Sequence, residues 1–404
     1  MLSRNENYLL EIFDDIEELE DMDVQNENIR GLSHLLEFKS LLRLYCNNNL
    51  LTSLPILPKT LIILECHNNL ITHLPPLPPN LEVLSCFKNK IKWLPPLPPF
   101  LRVLTCGENK IKLIPPLPKT LVELYCSFNE IVKLPPLPPL LNVLLCVNNK
   151  IENLPRLPNS IETLHCEHNE LTSLPELPEN LYSLCCNFNH IEVLPKLPNK
   201  LELFSCAGNN ISFLPSLPEK IISLCCQHNE LTSIPLLPET LQSLDCSNNR
   251  VTTLHSLPKN LLFLNCFSNR LTRLPTILPD SLECLYCENN NLKMLPLFSD
   301  NLSQLCCYSN NLFYTPFLPH NQDKMLIYKN KNLKCIQNII ERIHKFRFQY
   351  YCLKYKDRFR KWLWINIREK RAKQKYAPEN LLKLLNNLNN EKDIEIVIND
   401  WSYS

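Results

Sequence analysis

Long apolar runs are missing from this 404-residue chain. No stretch approaches the roughly eighteen apolar residues that a membrane span needs, so none is expected. The start, MLSRNENYLLEIFDDIEELEDMD, has neither a basic n-region nor an apolar h-region, so no signal peptide is expected either. Excess charge of one sign is absent as well. With 42 Lys and Arg against 41 Asp and Glu the net charge is +1, and no global pull toward nucleic acid follows. Glycine and alanine are scarce, at three residues each, while Asn, Lys, Ile and Tyr are abundant. That bias fits an AT-rich genome and has no bearing on mechanism.

Proline is plentiful but confined, with 33 of the 34 lying between Pro55 and Pro319. That span is filled by a twenty-residue unit, clearest at Leu81–Phe100 as LEVLSCFKNKIKWLPPLPPF. The template is L-x-x-L-x-C-x-x-N-x-(L/I)-x-x-L-P-x-L-P-x-x. Its Cys recurs every twenty residues from Cys46 to Cys266, then at Cys287 and Cys307 after one inserted residue. Its Asn follows three places later each time, from Asn49 to Asn269 and then at Asn290 and Asn310. Fourteen copies in register specify a solenoid.

Each part of the template has a physical role. Leu-x-x-Leu-x-Cys places alternate side chains on the two faces of a short strand, with Leu and Cys inward. One such strand cannot bury its apolar edge alone, so neighbouring copies stack in parallel around one core. The Asn stands where the strand bends away and is placed to satisfy backbone groups left unpaired there. Leu-Pro-x-Leu-Pro returns on the far side. Proline fixes φ and lacks the N–H of a helix interior, so this side is expected to be extended and polyproline-like.

The L-x-x-L-x-(L/C)-x-x-N-x-L core resembles that of the leucine-rich repeat proteins, over about Leu19 to Leu333. The twenty-residue length with L-P-x-L-P is similar to the short class found in secreted bacterial effectors, some of which carry a ubiquitin-ligase domain. The resemblance implies a leucine-rich repeat solenoid with parallel β-strands on the concave side and extended segments on the convex side. It leaves function open, because this fold hosts many unrelated binding roles.

The expected organisation runs in four parts. Residues 1–18 form a short acidic helical cap through Tyr8, Leu9, Ile12, Phe13 and Ile16, with Asn5 or Asn7 as N-cap. YLLEIFDDI there resembles the opening of an F-box, but that domain is much longer. Residues 19–333 hold about 15–16 repeats. The first is degenerate (Leu19, Met22, Val24, Ile29, Leu32), with Glu27 in the place of Asn, and Leu326, Tyr328 and Leu333 make a worn last strand. Strands spaced about 4.8 Å apart give a stack of about 75 Å. Residues 334–376 carry fourteen bases, three acids and no proline. Ile336, Ile339, Ile343, Phe346, Tyr350 and Leu353 there fall at helical spacing. That basic amphipathic helix either closes the last repeat or binds a calmodulin-like or acidic partner, and its Ile336–Gln337 pair lacks the Arg of an IQ motif. Residues 377–404 form a tail with a short helix, Glu379–Leu388, behind Pro378. The ending KYAPENLLKLLNN…IVINDW resembles terminal segments of proteins of giant DNA viruses.

Twenty cysteines in a small secreted chain would suggest a disulfide framework. Here fourteen occupy the inward column, where a small apolar side chain belongs. A reduced, intracellular, cytoplasmic setting is expected, in a host cytoplasm if the chain is viral. His165, His168, Cys185 and Cys186, and likewise Cys225, Cys226 and His228, bring metal ligands together in sequence. The template turns Cys186 and Cys226 inward and Cys185 and Cys225 outward, about 9.6 Å apart, which is not a tetrahedral site. No metal, cofactor or small-molecule substrate is expected.

Function is therefore sought on the outward strand positions of the concave face. Ile63, Val83, Val103, Val143, Leu145 and Val147 gather there as an apolar patch, and Phe87, Tyr125, Phe128, Phe188, Phe267, Tyr286 and Tyr308 add aromatics. Such groups in solvent point to a protein or peptide partner. The expected function is a non-enzymatic interaction scaffold. One alternative is an adaptor linked to ubiquitin ligation. The catalytic Cys-x-Asp of the effector ligases has no match among the twenty cysteines, and about seventy residues after the repeats are too few for such a domain. Binding of nucleic acid or a calmodulin-like protein by Lys334–Lys375 is the other alternative; nucleic acid would show as a steep salt dependence.

Overall fold

The computed structural model describes residues 17–313, together with 325–326, Asn330 and Lys345. Residues 1–16 of the expected helical cap 1–18 and, Lys345 excepted, the basic helix 334–376 and the tail 377–404 lie outside the described residues.

Every repeat opens with a strand of two or three residues, from Asp21–Asp23 and Arg43–Tyr45 to Gln304–Cys306 and Met325–Leu326. Among the described residues sixteen such strands form one parallel sheet in chain order. The register follows the repeat: Val83 faces Val103 twenty residues on, and the inserted residue sets Phe263 against Cys284. The middle residue of each full-length strand is buried and its two neighbours are mostly half-buried, which is the alternation that L-x-x-L-x-C dictates. Past the strand the ladder continues, as in the Cys46 N–H donating to the Glu65 carbonyl at 2.8 Å.

The inward Leu, Cys and Ile side chains of successive turns join into one core that runs the length of the stack. The fourteen column cysteines are all buried free thiols. Burial pushes the Cys46, Cys126, Cys246 and Cys307 thiols up to about 12. The thiolate is the reactive form, so these groups are expected to resist iodoacetamide in the native protein and to react only on unfolding. Mass spectrometry of native and unfolded samples checks this. Native disulfides between consecutive column cysteines would overturn it.

The repeated Asn ties each turn to the one before. Asn69 Oδ1 accepts from the Leu51 N–H at 2.9 Å, and its Nδ2 donates to the carbonyls of Cys46 at 3.0 Å and Cys66 at 3.1 Å. The same pattern recurs down the stack to Asn310. It extends one rung further, to Asn330, which donates to the Cys307 carbonyl. In the degenerate first repeat Glu27 stands where Asn is expected, and Asn49 reaches back to accept from the N–H groups of Glu27 and Ile29.

The return side carries no helix in the described repeats apart from a 3₁₀ turn at Leu35–Glu37 in the first. There Leu35 and Phe38 are buried in the role that the prolines' neighbours take elsewhere. In later repeats a turn closes the return, as where Leu61 N–H donates to the Pro58 carbonyl, and the Thr60 hydroxyl donates to the Leu41 carbonyl at 2.7 Å. Proline's missing donor leaves the sheet edge of the turn to these side chains and to Asn.

Candidate functional site

The outward face of the sheet is built from three columns: the residues before the second Leu, before the Cys, and after the Cys. Ile63, Val83 and Val103 lie side by side in the first column on adjacent strands. Glu123 follows, then Val143, which shares its strand with Leu145. Tyr125 pairs with Leu145 across the sheet, and its hydroxyl donates to Glu123 Oε2 at 2.8 Å. Burial, aided by Glu123, pushes the Tyr125 phenol up to about 12, so it remains a neutral donor that covers the carboxylate. Val147 stands two residues beyond the end of the same strand. These aliphatic groups are all half-buried.

The aromatic candidates divide into two kinds. Phe87 stacks on His67, with ring centroids 4.3 Å apart and planes 11° from parallel. Burial between its neighbours pulls the His67 pKa down against the opposing pull of Glu65. Phe267, Tyr286 and Tyr308 are half-buried at the far end, and Tyr286 packs at a tilt against Phe263, 5.7 Å away, and donates to Gln304. Phe128 and Phe188 are different. They sit on the bend after the strand with left-handed backbone, φ 57° and 52°, and stand well exposed.

That left-handed position recurs in every turn from Asn48 to Ser309. Asn is common in it, at residues 48, 68, 148, 248 and 289, which is the sequence signal that could have marked it. Gly208 occupies it once, with φ +63°. A Cβ at residue 208 would lie 2.6 Å from Cδ1 of Phe188, whose ring stacks on His168 at 4.5 Å. The bare backbone thus makes room for the Phe188 ring.

Between the two aromatic ends the face is polar. His165 meets the Ser183 hydroxyl at 3.1 Å, and Asn187 Oδ1 accepts from the Ser205 hydroxyl at 2.7 Å and the Ala207 N–H at 2.6 Å. Asp245 holds Ser247 and Asn265. Phe263 and the members of this network fall in the outward columns but are not among the candidate site residues, because their contacts carry no signature until their neighbours twenty residues away are known. Cys186 and Cys226 point into the core while Cys185 and Cys225 are half-buried on the outward face. His165 and His168 are engaged by Ser183 and Phe188, and His228 meets Asn248. Among the described residues no three His, Cys, Asp or Glu side chains gather as metal ligands would. The Cys185 thiol is pushed up to about 12, first by burial and then by its hydrogen bond to Glu167, which makes it a poor nucleophile. What this face offers is shape, apolar area and hydrogen-bonding groups.

No family model matches the chain, and neither does any curated protein. Solved structures do match. YopM from Yersinia enterocolitica WA-314 is 33% identical with a TM-score of 0.66, over 76% of this chain and 77% of that one. YopM of Yersinia pestis, a leucine-rich effector protein, is 31% identical with a TM-score of 0.59, over 78% and 87%. The functional domain of InlJ from Listeria monocytogenes, which includes a cysteine ladder, is 22% identical with a TM-score of 0.58, over 78% and 66%. The last likeness is one of fold.

Proposed function

The chain belongs to the leucine-rich repeat proteins, and on that premise we propose that it is a non-enzymatic scaffold binding a protein or peptide on the concave, outward-strand face of the solenoid. The observation that carries this reading is the alignment of Ile63, Val83 and Val103 on adjacent strands, with Val143, Leu145 and Val147 beside them. Stacked repeats hold such groups at fixed spacing on an extended surface, which is how solenoids bind. Half-buried aliphatic side chains need little further area covered to become anchors, and they lose little rotamer freedom on doing so. The effector standing of the Yersinia relative supports an interaction role. The upward-shifted outward thiols support a non-catalytic one. Free buried thiols fit a reducing cytoplasm, that of a host if the chain is viral. Among the described residues no helix is long and apolar enough to cross a membrane.

Replacing Val103, Val143, Leu145 and Val147 by Ser or Thr tests the reading. The circular dichroism should stay unchanged, because these side chains face away from the core. Affinity capture of the partner from producing cells should fall by well over tenfold, since a few central groups dominate most interfaces. Unchanged capture with unchanged circular dichroism would remove this patch as the anchor.

A further inference from the structure

The outward face has a charge bias that the near-neutral chain as a whole conceals. In the three outward columns from the strand Arg43–Tyr45 to Tyr308, the acids are Glu65, Glu123, Glu167, Asp245 and Glu288. The only Lys or Arg is Arg43, and it is ion-paired with Asp21. The remaining bases of the chain lie elsewhere.

A second observation falls on the same face. Among the described residues three buried side-chain atoms lack a hydrogen-bond partner: Asn47 Oδ1, Glu288 Oε2 and Glu167 Oε2, the last on a carboxylate that also bonds the Cys185 thiol. All three belong to residues that directly follow an inward Cys, so they share one column. All three are acceptors, which only a donor can satisfy. Asn47 and Glu288 are 4% and 8% exposed. A buried acceptor without a donor is costly and uncommon in a folded protein. Glu288 is also flanked in its column by Phe267 and Tyr308, aromatic groups that favour a cation beside them.

We propose that this face receives a cationic segment of a protein partner, with Lys or Arg side chains taken by Glu167 and Glu288. The proposal rests on the partner-binding reading and adds the partner's chemistry to it. Reaching the two carboxylates takes a rotamer change of each glutamate, of a kind common at interfaces. Arginine suits them best, because its fork of N–H donors can engage both oxygens of a carboxylate. Six strand steps separate the repeats of Glu167 and Glu288, about 29 Å. An extended segment covers that distance with about nine residues. The partner segment is thus extended, carries two basic residues at about that separation, and has no acid between them to oppose Asp245.

The test uses the full chain and three labelled peptides of this design: one with two arginines about nine residues apart, one with glutamines in their place, and one with glutamates. Fluorescence anisotropy should show the arginine peptide binding at least about tenfold more tightly than the glutamine peptide. The glutamate peptide should bind least, and added salt should weaken only the arginine peptide. The Glu167→Gln, Glu288→Gln double variant keeps the side-chain shape and should lose most of the arginine preference. Equal affinity for the arginine and glutamine peptides overturns the proposal without recourse to any variant. An arginine preference that survives in the double variant overturns the assignment to these carboxylates. Neither result touches the apolar anchor, which the Val103, Val143, Leu145 and Val147 variant tests separately.

Discussion

Raising the pH above the ordinary thiol range is expected to unfold the repeats cooperatively in the presence of a reductant. The ordinary thiol value is 9.0, and burial raises the column cysteines, to about 12 where the shift is least extreme. The sign follows from linkage. Below about pH 9 both folded and unfolded chains hold these protons, and stability does not depend on the thiols. Above it the unfolded chain releases them while the folded core cannot, so stability is lost as pH rises from the unfolded value toward the folded one. Each thiol contributes roughly 1 kcal/mol per pH unit in that window. With fourteen buried column cysteines, one unit removes on the order of 10 kcal/mol, comparable to the whole stability of a domain. Denaturant melts across the window should show a steep slope, and replacing Cys126, Cys146 and Cys166 by Val should reduce that slope in proportion to the thiols removed. A flat profile would show that the thiols are not held protonated in the core.

The parts of the fold legible in the sequence are those in which one residue type has one physical role. A Leu, Ile or Cys at nearly every inward position, and an Asn at the bend of every repeat after the first, announce the strand, the core and the inter-turn ties without any knowledge of neighbours. The left-handed bend was less legible. Lys88, Glu108, Phe128 and His168 all occupy it, so the backbone there is imposed by the turn geometry and not chosen by the side chain. Phe128 and Phe188 therefore read as strand-face aromatics although they stand on the bend. The first repeat lacks the prolines that mark the return side, and its Leu35 and Phe38 were invisible as core for that reason. The apolar patch was legible as a column of residues. The Tyr125–Glu123 pairing within it, and the orphaned acceptors beyond it, depend on side chains brought together by the stacking and could not be read from one repeat.

The Asn169→Ala variant is expected to weaken the middle of the solenoid more than Asn310→Ala weakens its end, although the two side chains make the same bonds. Asn169 accepts from the Ile151 N–H at 2.9 Å and donates to the carbonyls of Cys146, Cys166 and Glu167. Those carbonyls keep other donors after the substitution. Asn149 still bonds Cys146, Asn189 still bonds Cys166, and the Asn148 N–H still bonds Glu167. The Ile151 N–H has no second acceptor within the hydrogen bonds of its turn, so the loss concentrates on one buried donor. An orphaned buried donor costs about 1–3 kcal/mol. Asn310 likewise serves the Leu292 N–H and the Cys287 and Cys307 carbonyls. The difference arises from position. Stability in a stack is a sum of repeats and their interfaces, and repeats near an end open locally at a fraction of the global free energy. A defect at Asn310 is shed by fraying, whereas one at Asn169 interrupts the coupling between two halves. Denaturant melts of the two variants should show the larger midpoint shift, and a broader or split transition, for Asn169→Ala. Equal shifts at both sites would mean that the ties act locally and carry no cooperativity along the stack.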